Sequence, residues 1–250
     1  MVGASEALAE FLFRTPEAMN ILELEPSLSQ QSDSVANPSW ETTDTSFSRA
    51  ITELRRNYRK ALLQIAIWDL SRSEPAESVQ TVAASLAKLA AAALDGGLKL
   101  ARLQLLHNKS LGEYQQREIE ATKLAIIGMG KGGAGELNYI SDVDVIFVAE
   151  GEGLESERML EIATKLATRT MRIMDETNIE PGLWQVDANL RPEGKAGALV
   201  RTLDSHLAYY ARWAENWEFQ ALIKANPIAG DIELGRKYKD SLQSLIWQSS

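Results

Sequence analysis

Two short apolar runs on either side of a glycine-rich turn limit the folds open to this chain. The first, KLAIIGMG, covers residues 123–130, and the second, DVDVIFVAEG, covers residues 142–151. Apolar runs of this length that are bounded by glycine and turn residues are typical of buried strands. We therefore expect a sheet, and the segment between the two runs is too short to contain a long crossover helix.

Most of the remaining sequence predicts helix. Apolar residues recur at intervals of three and four over residues 47–70, which is the spacing of a helical stripe that faces a core. The arginines and the lysine of this segment mostly lie off the stripe and predict a solvated or partner-facing flank. Other helices are expected over residues 4–14, through an Ala-rich segment that ends near the C-cap pair Gly96-Gly97, and over 98–107, 112–120 and 154–177. Residues 202–225 and 231–247 are expected to be helical, with NPIAGD between them, and the polar segment 25–47 predicts a loop.

A third strand is expected in GLWQVDANLRPEG, residues 182–194. Alternation places Val186 and Ala188 on one face and Asp187 on the other. The chain is thus predicted to be α+β, with a mixed sheet, flanking helices and helical segments at both ends. We expect a mostly helical region over residues 1–120, a core over 121–200 and a helical carboxyl-terminal segment over 201–250.

Composition excludes several classes of function. The net charge of -9 argues against nucleic acid as a partner, and the absence of cysteine excludes disulfides and thiolate zinc sites. Two histidines make an imidazole metal site improbable, which leaves carboxylates and hard ions such as Mg²⁺. No basic leader or unbroken apolar span is evident, so we expect a cytoplasmic protein without a membrane partner.

The glycine-rich turn admits three interpretations. Residues 128–133, GMGKGG, match G-x-G-x-x-G, but a dinucleotide-binding loop opens a crossover helix, and too few residues precede the next strand here. A P-loop requires Ser or Thr after its lysine, and Gly132 follows Lys131. The third interpretation is a glycine turn that leads into a strand beginning Asp-x-Asp.

The spacing of Asp142 and Asp144 suits a pair of metal ions. Residues two apart on a strand point to the same side with Cα atoms roughly 6.6 Å apart, and their carboxylates can reach two ions about 4 Å apart. Turn chemistry alone would explain Ser141-Asp142. A third carboxylate, Asp187, is predicted to face outward on a later strand of the same sheet. A glycine loop, Asp-x-Asp and a separated Asp together indicate magnesium-dependent nucleotidyl transfer and a nucleotidyltransferase-like sheet.

In this hypothesis Asp142, Asp144 and Asp187 are the catalytic and metal-binding carboxylates, with two Mg²⁺ ions expected. Asp187 could instead be a base that orients the nucleophile. The remaining candidates would contact nucleotide or phosphate through backbone amides, a hydroxyl or positive charge. They are Gly130, Lys131, Gly132, Gly133, Ser141, Arg191 and Lys195.

Three segments carry a resemblance to a known family. They are GMGKGGAGELNYISDVDVIFV (128–148), VDANLRPEGKAGALVRTLDSHLAYYARWAENWEFQALIKANPIAGD (186–231) and, less specifically, LRRNYRKALLQIAIWDL (54–70). The chain resembles the bifunctional glutamine synthetase adenylyltransferase/adenylyl-removing enzymes, whose members contain two tandem nucleotidyltransferase units and are several times longer. The ELNY-x-SD-x-D form is similar to the amino-terminal, adenylyl-removing unit of that family.

The resemblance implies an activity for the predicted site. Orthophosphate would attack an AMP-tyrosine on glutamine synthetase and release ADP, with Mg²⁺ as cofactor and ATP or ADP as nucleotide. Glutamine synthetase would be the partner, and a PII-type signal protein could act through regions outside this chain. Gly132 and Asn226 depart from the bulkier residue and the arginine that are common in the family. Trp213, Trp217 and Phe219 are expected to pack the carboxyl-terminal helices rather than to grip the substrate.

Two alternatives remain open from the sequence. AMP transfer from ATP would use the same carboxylates in the reverse direction. The other alternative is a binding module that senses nucleotide or docks glutamine synthetase without turnover. The three intact carboxylates argue against this alternative.

Overall fold

A mixed sheet organises the chain in the computed structural model, which describes residues 5–23, 28, 32–38 and 46–248. Within these residues the sheet has five strands, and its central strands β1 and β2 are antiparallel to one another. β5 pairs antiparallel with the other edge of β1, whereas β3 and β4 both pair parallel with β2. The strands are β1 (Thr122–Gly128), β2 (Val143–Gly151), β3 (Val186–Asp187), β4 (Val200–Thr202) and β5 (Asn226–Gly230).

Helices flank the sheet and precede it along the chain, so the predicted α+β class is confirmed. The predicted loop over residues 25–47 lies partly outside the described residues and contains a short helix. The α-helices described are α1 (Glu6–Arg14), α2 (Asp33–Ala36), α3 (Ser46–Leu70), α4 (Pro75–His107), α5 (Gln116–Ala121), α6 (Gly130–Ala134), α7 (Ser156–Asp175), α8 (Leu203–Tyr210), α9 (Asn216–Leu222) and α10 (Ile232–Gln248).

The two faces of the sheet bury two different sets of apolar side chains. Along β1, Leu124 and Ile126 point into a core formed with α3, α4 and α7, while Ala125 and Ile127 point into a core formed with α8, α9 and α10. This alternation is the period-two pattern of a strand covered on both sides. The central strands therefore hold the two helical layers together.

α4 is one continuous helix, so the prediction that it ends at Gly96-Gly97 was wrong. A Cβ atom on Gly96 would lie 2.3 Å from the carbonyl oxygen of Val35, and one on Gly97 would lie 2.7 Å from Cε of Met174. The two glycines therefore allow α2 and α7 to approach α4 closely, and no cap is formed. Of the helices in the described ranges, α4 alone is long and apolar enough to cross a membrane. The sequence analysis did not expect such a helix. Most of the apolar part of α4 is buried inside the protein.

The carboxyl-terminal region contains a strand, β5, that the sequence analysis missed. NPIAGD was predicted to be a break between helices, yet Asn226–Gly230 forms the edge strand β5, where Pro227 is tolerated because an edge strand leaves part of its backbone unpaired. The predicted helix 202–225 is divided into α8 and α9. Glu215 and Glu218 form a capping box at the start of α9, with the Glu215 amide donating to Oε2 of Glu218 at 2.9 Å.

The aromatic residues near α9 do not pack as predicted. Trp213 and Trp217 are 73% and 51% exposed, whereas Phe219 is half-buried against the core formed by α8 and α10. The expectation of packing therefore holds for Phe219 only.

Arginines of α3 anchor the segment that leads into β3. Arg55 is fully buried and donates hydrogen bonds to the carbonyl oxygens of Ile173, Glu176 and Glu180, at the end of α7 and beyond it. Arg59 forms a 3.0 Å ion pair with Glu180, whose side chain is 2% exposed. The prediction of a solvated or partner-facing flank was therefore wrong for Arg55 and Arg59. The donors of Arg55 satisfy carbonyls that a helix end leaves unpaired, and Arg59 is paired inside the protein with Glu180.

Candidate active site

The three predicted carboxylates come from adjoining parts of the sheet. Asp144 lies on β2, and Asp142 lies in the loop immediately before that strand. In the parallel pairing of β2 with β3, Val143 is opposite Val186 and Asp144 is opposite Asp187. Since neighbouring strands are about 4.8 Å apart, the pairing places Asp187 beside Asp144.

β3 is much shorter than predicted, and local turn chemistry ends it after Asp187. Oδ1 of Asp187 accepts a hydrogen bond of 2.6 Å from the amide of Asn189, and the amide of Arg191 donates to the carbonyl of Ala188. An aspartate that bonds the backbone two residues on turns the chain away from a strand. The same bond orients the Asp187 carboxylate.

The charges of the carboxylates are coupled. The pKa of Asp144 is raised, first by partial burial and then by the negative charges of Asp187 and Asp142, while Lys131 lowers it in part. Nearby negative charges disfavour the ionised form of the Asp144 carboxyl group. A divalent cation between them would remove that repulsion.

The carboxylates of the site suit a Mg²⁺ ion that keeps part of its water shell better than a metal ion whose ligands all come from the protein. Across the part of the chain that the structure describes, no group of three or more Asp, Glu, His or Cys side chains lies close enough together to hold a metal ion. Mg²⁺ is usually held by one or two carboxylates together with waters and substrate phosphates. Asp144 and Asp187, with Asp142 in the loop before β2, provide carboxylate oxygens of that kind.

The glycine-rich turn lies directly against these carboxylates. Gly130 has a φ of +48°, and a Cβ atom there would lie 3.2 Å from Oδ2 of Asp144. A Cβ atom on Gly133 would lie 2.1 Å from the carbonyl oxygen of Lys224 and 2.2 Å from that of Gly128. Gly133 is therefore required for close packing, and its amide donates to the carbonyl of Met129, so it is not available to a phosphate.

Gly132 has more space than the other glycines of the turn. A Cβ atom there would make an ordinary contact of 3.7 Å with Cγ1 of Val143. The position can therefore accept a side chain, which agrees with the bulkier residue expected there in similar sequences.

Lys131 and Ser141 each form a hydrogen bond with the loop that carries Asp142. Nζ of the exposed Lys131 donates to Oδ1 of Asn138 at 3.1 Å, and its charge acts on Asp144. Ser141 Oγ donates to the carbonyl of Asp142 at 2.9 Å. Both side chains are held by the loop that carries Asp142.

Arg191 and Lys195 differ in their relation to the carboxylates. Arg191 donates to the carbonyls of Ala188, Gly197 and Lys195, so it closes the loop after β3, and its charge interacts with Asp187. The Lys195 side chain is exposed and contacts none of the three carboxylates in the described structure. Arg191 is thus near the site with most of its donors already used.

Several side chains around the site escaped the sequence analysis. The side chain of Asn138 accepts from Lys131, the backbone amide of Asn189 donates to Asp187, and the Tyr139 hydroxyl donates to Asp69 of α3. The Asp-x-Asn spacing of residues 187–189 is a local signal for the turn at Asp187. No local signal links Tyr139 to Asp69, because the two residues are 70 positions apart.

Known proteins match this chain over nearly its whole length. The family model described as "Glutamate-ammonia ligase adenylyltransferase" matches residues 1–241. Proteins named "Bifunctional glutamine synthetase adenylyltransferase/adenylyl-removing enzyme" from Leifsonia xyli subsp. xyli and Streptomyces avermitilis are 46% and 44% identical to this chain over its whole length. A protein of the same name from Corynebacterium glutamicum is 39% identical over 98% of the chain.

The alignments cover 26%, 23% and 22% of those three relatives, so the chain spans about a quarter of their length. The family match covers nearly the whole chain, including every residue of the candidate site. The chain therefore belongs to the glutamate-ammonia ligase adenylyltransferase family.

Proposed function

We propose that this chain removes AMP from an adenylylated tyrosine of glutamine synthetase by magnesium-dependent phosphorolysis. The observation that carries the proposal is the pairing of Asp144 with Asp187 on adjoining strands, directly against the glycine turn. The relatives are named for both adenylylation and its removal. The ELNY-x-SD-x-D form of residues 136–144 favours removal, because it resembles the adenylyl-removing unit.

Asp142, Asp144 and Asp187 would hold Mg²⁺, with two ions expected. Bound Mg²⁺ would neutralise phosphate charge and align an in-line displacement. Gly130, Lys131 and Gly132 form the first turn of the short helix α6, where backbone amides lack helical acceptors and can donate to phosphate oxygens. Lys131, Ser141, Arg191 and Lys195 are the proposed side-chain contacts to nucleotide or phosphate.

The reaction exchanges one phosphorus–oxygen bond for another. An oxygen of orthophosphate forms a bond to the phosphorus of the AMP group, and the bond from that phosphorus to the tyrosine oxygen breaks. The products are ADP and the free tyrosine, whose phenolate takes up a proton. Lys131 would stabilise the charge that spreads over the phosphoryl oxygens during this transfer.

Glutamine synthetase is the proposed protein partner, and a PII-type signal protein is proposed to act through parts of the relatives that this chain does not span. The net charge of -9 argues against nucleic acid as a partner. We further propose that the protein acts in the cytoplasm and without a membrane partner.

The test is ADP release from AMP-tyrosine glutamine synthetase incubated with this chain, Mg²⁺ and phosphate. Asp144→Asn should reduce the rate at least about a hundredfold, because the metal site loses a carboxylate. Asp240→Asn changes an exposed aspartate on α10 in the same way and should leave the rate unchanged. Incorporation of AMP from labelled ATP is measured in parallel.

Each result distinguishes the proposal from its alternatives. ADP release that is lost in Asp144→Asn but kept in Asp240→Asn supports phosphorolysis. AMP incorporation without phosphorolysis would show that the chain instead transfers AMP from ATP to the tyrosine, with release of pyrophosphate. Magnesium-dependent nucleotide binding with neither activity would identify a binding module.

A further inference from the structure

The loop that carries Asp142 is tied to the amino-terminal helices through a tyrosine. This loop, residues 135–142, connects α6 with β2. Oη of Tyr139 donates a hydrogen bond of 3.0 Å to Oδ2 of Asp69, which lies one residue before the end of α3. A residue three positions from Asp142 is therefore bound to an element outside the sheet.

The same aspartate also binds the beginning of α4. Oγ of Ser78, a residue that is 4% exposed, donates to Oδ1 of Asp69 at 3.1 Å. Asp69 thus uses both carboxylate oxygens, one for the helix that follows it and one for the loop. Because α3 and α4 pack together over much of their length, Asp69 offers the loop a firm attachment point.

Other attachments of the loop lie at its two ends. Leu137 is 4% exposed within the core, and the amide of Val143 donates to the carbonyl of Gln185 at 3.2 Å. Between them, Asn138 and Ser141 bond the loop itself or the neighbouring Lys131. The Tyr139–Asp69 bond is therefore the side-chain hydrogen bond that connects the middle of the loop with α3.

We propose that Tyr139 and Asp69 are positioning residues that hold Asp142 beside Asp144 and Asp187. The proposal rests on the proposed function, in which these three carboxylates bind Mg²⁺. Neither Tyr139 nor Asp69 touches metal or substrate. Their bond limits the movement of the loop before the ion binds. The Asp142 carboxylate at the end of the loop can therefore bind the ion without further loss of conformational entropy.

Tyr139→Phe tests the pair, because it removes the hydroxyl and keeps the ring. We expect Mn²⁺, used as a spectroscopic probe for the metal site, to bind about tenfold more weakly. The Mg²⁺ concentration that gives half-maximal ADP release should rise by a similar factor, with an unchanged melting temperature. Asp69→Ala is the second variant, because it removes both acceptor oxygens, whereas asparagine would keep one. The double variant should weaken Mn²⁺ binding no more than Asp69→Ala alone, since both have lost the bond between Tyr139 and Asp69.

Tyr114→Phe is the matched control. Oη of Tyr114 donates to Oε1 of Glu161 on α7 at 2.9 Å, so this variant also loses a tyrosine–carboxylate bond. That bond lies outside the carboxylate loop, and we expect the Mn²⁺ affinity and the Mg²⁺ requirement to stay at the values of the unmodified chain.

The possible failures can be told apart. Unchanged Mn²⁺ affinity and Mg²⁺ requirement in Tyr139→Phe and Asp69→Ala would overturn the positioning role while leaving phosphorolysis intact. If the unmodified chain binds Mn²⁺ but releases no ADP, the proposal of phosphorolysis is refuted. The Mn²⁺ affinities alone then test the positioning role of Tyr139 and Asp69. If the unmodified chain binds no Mn²⁺, both proposals are overturned.

Discussion

His206 shows how burial sets the charge state of a single side chain. It is 1% exposed, stacks on Tyr210 at 6.2 Å between ring centroids, and meets the edge of Tyr238 at 5.2 Å. The pKa of His206 is lowered to about 4, mainly by burial and to a smaller extent by the positive charge of Arg201. The folded protein therefore keeps this imidazole neutral at pH values at which an exposed histidine is charged.

We predict that this histidine makes the protein less stable in mild acid. The unfolded chain, with a histidine pKa near 6.5, binds more protons than the folded chain between pH 6.5 and 4, so stability falls as the pH falls through this range. From pH 7 to pH 5 the loss should be about 2 kcal/mol. Urea unfolding at the two pH values measures it.

His206→Phe should abolish most of that pH dependence, because a phenyl ring fits among the tyrosines and binds no proton. His107→Gln, which changes the other, exposed histidine, should leave it in place. Equal pH dependence in His206→Phe and the unmodified chain would refute the assignment.

Two glycines of the turn next to the site should respond differently to the same substitution. In Gly133→Ala the new methyl group would lie about 2 Å from two carbonyl oxygens, and the backbone has to move. We expect a loss of about 2 kcal/mol in unfolding free energy. Gly132→Ala should change it by less than about 0.5 kcal/mol, because its methyl group meets only Val143 at an ordinary distance. Denaturant unfolding of both variants provides the comparison, and equal stabilities would contradict it.

At the scale of elements, α3 holds the end of α7 and the segment that leads to β3. Arg55 places its guanidinium among carbonyls of Ile173, Glu176 and Glu180, and burial lowers its pKa while nearby carboxylates oppose that shift. The carbonyls at the end of α7 receive no bond from the helix itself. An arginine from another helix therefore fixes where α7 ends and how the chain approaches Asp187.

Arg55→Ala should lower the unfolding free energy by about 3 kcal/mol or more, because it leaves several carbonyls buried and unpaired. Lys60→Ala removes a cation from a half-buried position on the same helix and should cost less than about 1 kcal/mol. Thermal or urea unfolding distinguishes them. Similar losses in both variants would mean that Arg55 contributes mainly its charge and not its hydrogen bonds.

At the scale of the whole molecule, β1 and β2 contribute side chains to both apolar cores. Leu242 of α10 is 1% exposed in one core, and Leu86 of α4 is 3% exposed in the other. Because the two cores share the central strands, we expect them to unfold together. The division into regions 1–120, 121–200 and 201–250 would then describe the order along the chain and not independent folding units.

Leu242→Ala should lower the global stability by about 3 kcal/mol. Hydrogen exchange followed by mass spectrometry should show faster exchange in α4 and α7 as well as in α10. Leu86→Ala, the matched change on the other side of the sheet, should give the same pattern. Protection that persists in α3 and α4 of Leu242→Ala while α10 exchanges freely would contradict shared unfolding.

Local patterns were sufficient to predict a large part of this protein. The period-three-and-four stripe of α3, the helix α7 and the buried runs of β1 and β2 follow from apolar spacing, which depends only on neighbouring residues. Asp142 and Asp144 were predicted to share one side of a strand for the same reason, but β2 begins at Val143 and Asp142 lies in the loop before it. Asp187 was predicted from alternation over residues 184–190, of which only Val186–Asp187 forms a strand.

The tertiary structure decided what depends on contacts between distant segments. β5 was missed because a strand with a proline and few apolar residues is recognised only through its pairing with β1. Gly96 and Gly97 were interpreted as a helix end because the approach of α2 and α7, which requires them, cannot be seen along one helix. The burial of Arg55 and the bond from Tyr139 to Asp69 have the same origin.

The amino-acid sequence by itself therefore determined the fold class, the central strands and the carboxylates of the candidate site, because short-range periodicity and turn chemistry encode them. Only the tertiary structure decided how β3, β4 and β5 join the sheet, which glycines allow close packing and which side chains hold the carboxylates in place. These depend on the free energy of packing segments that are far apart in the chain, and no local pattern records it.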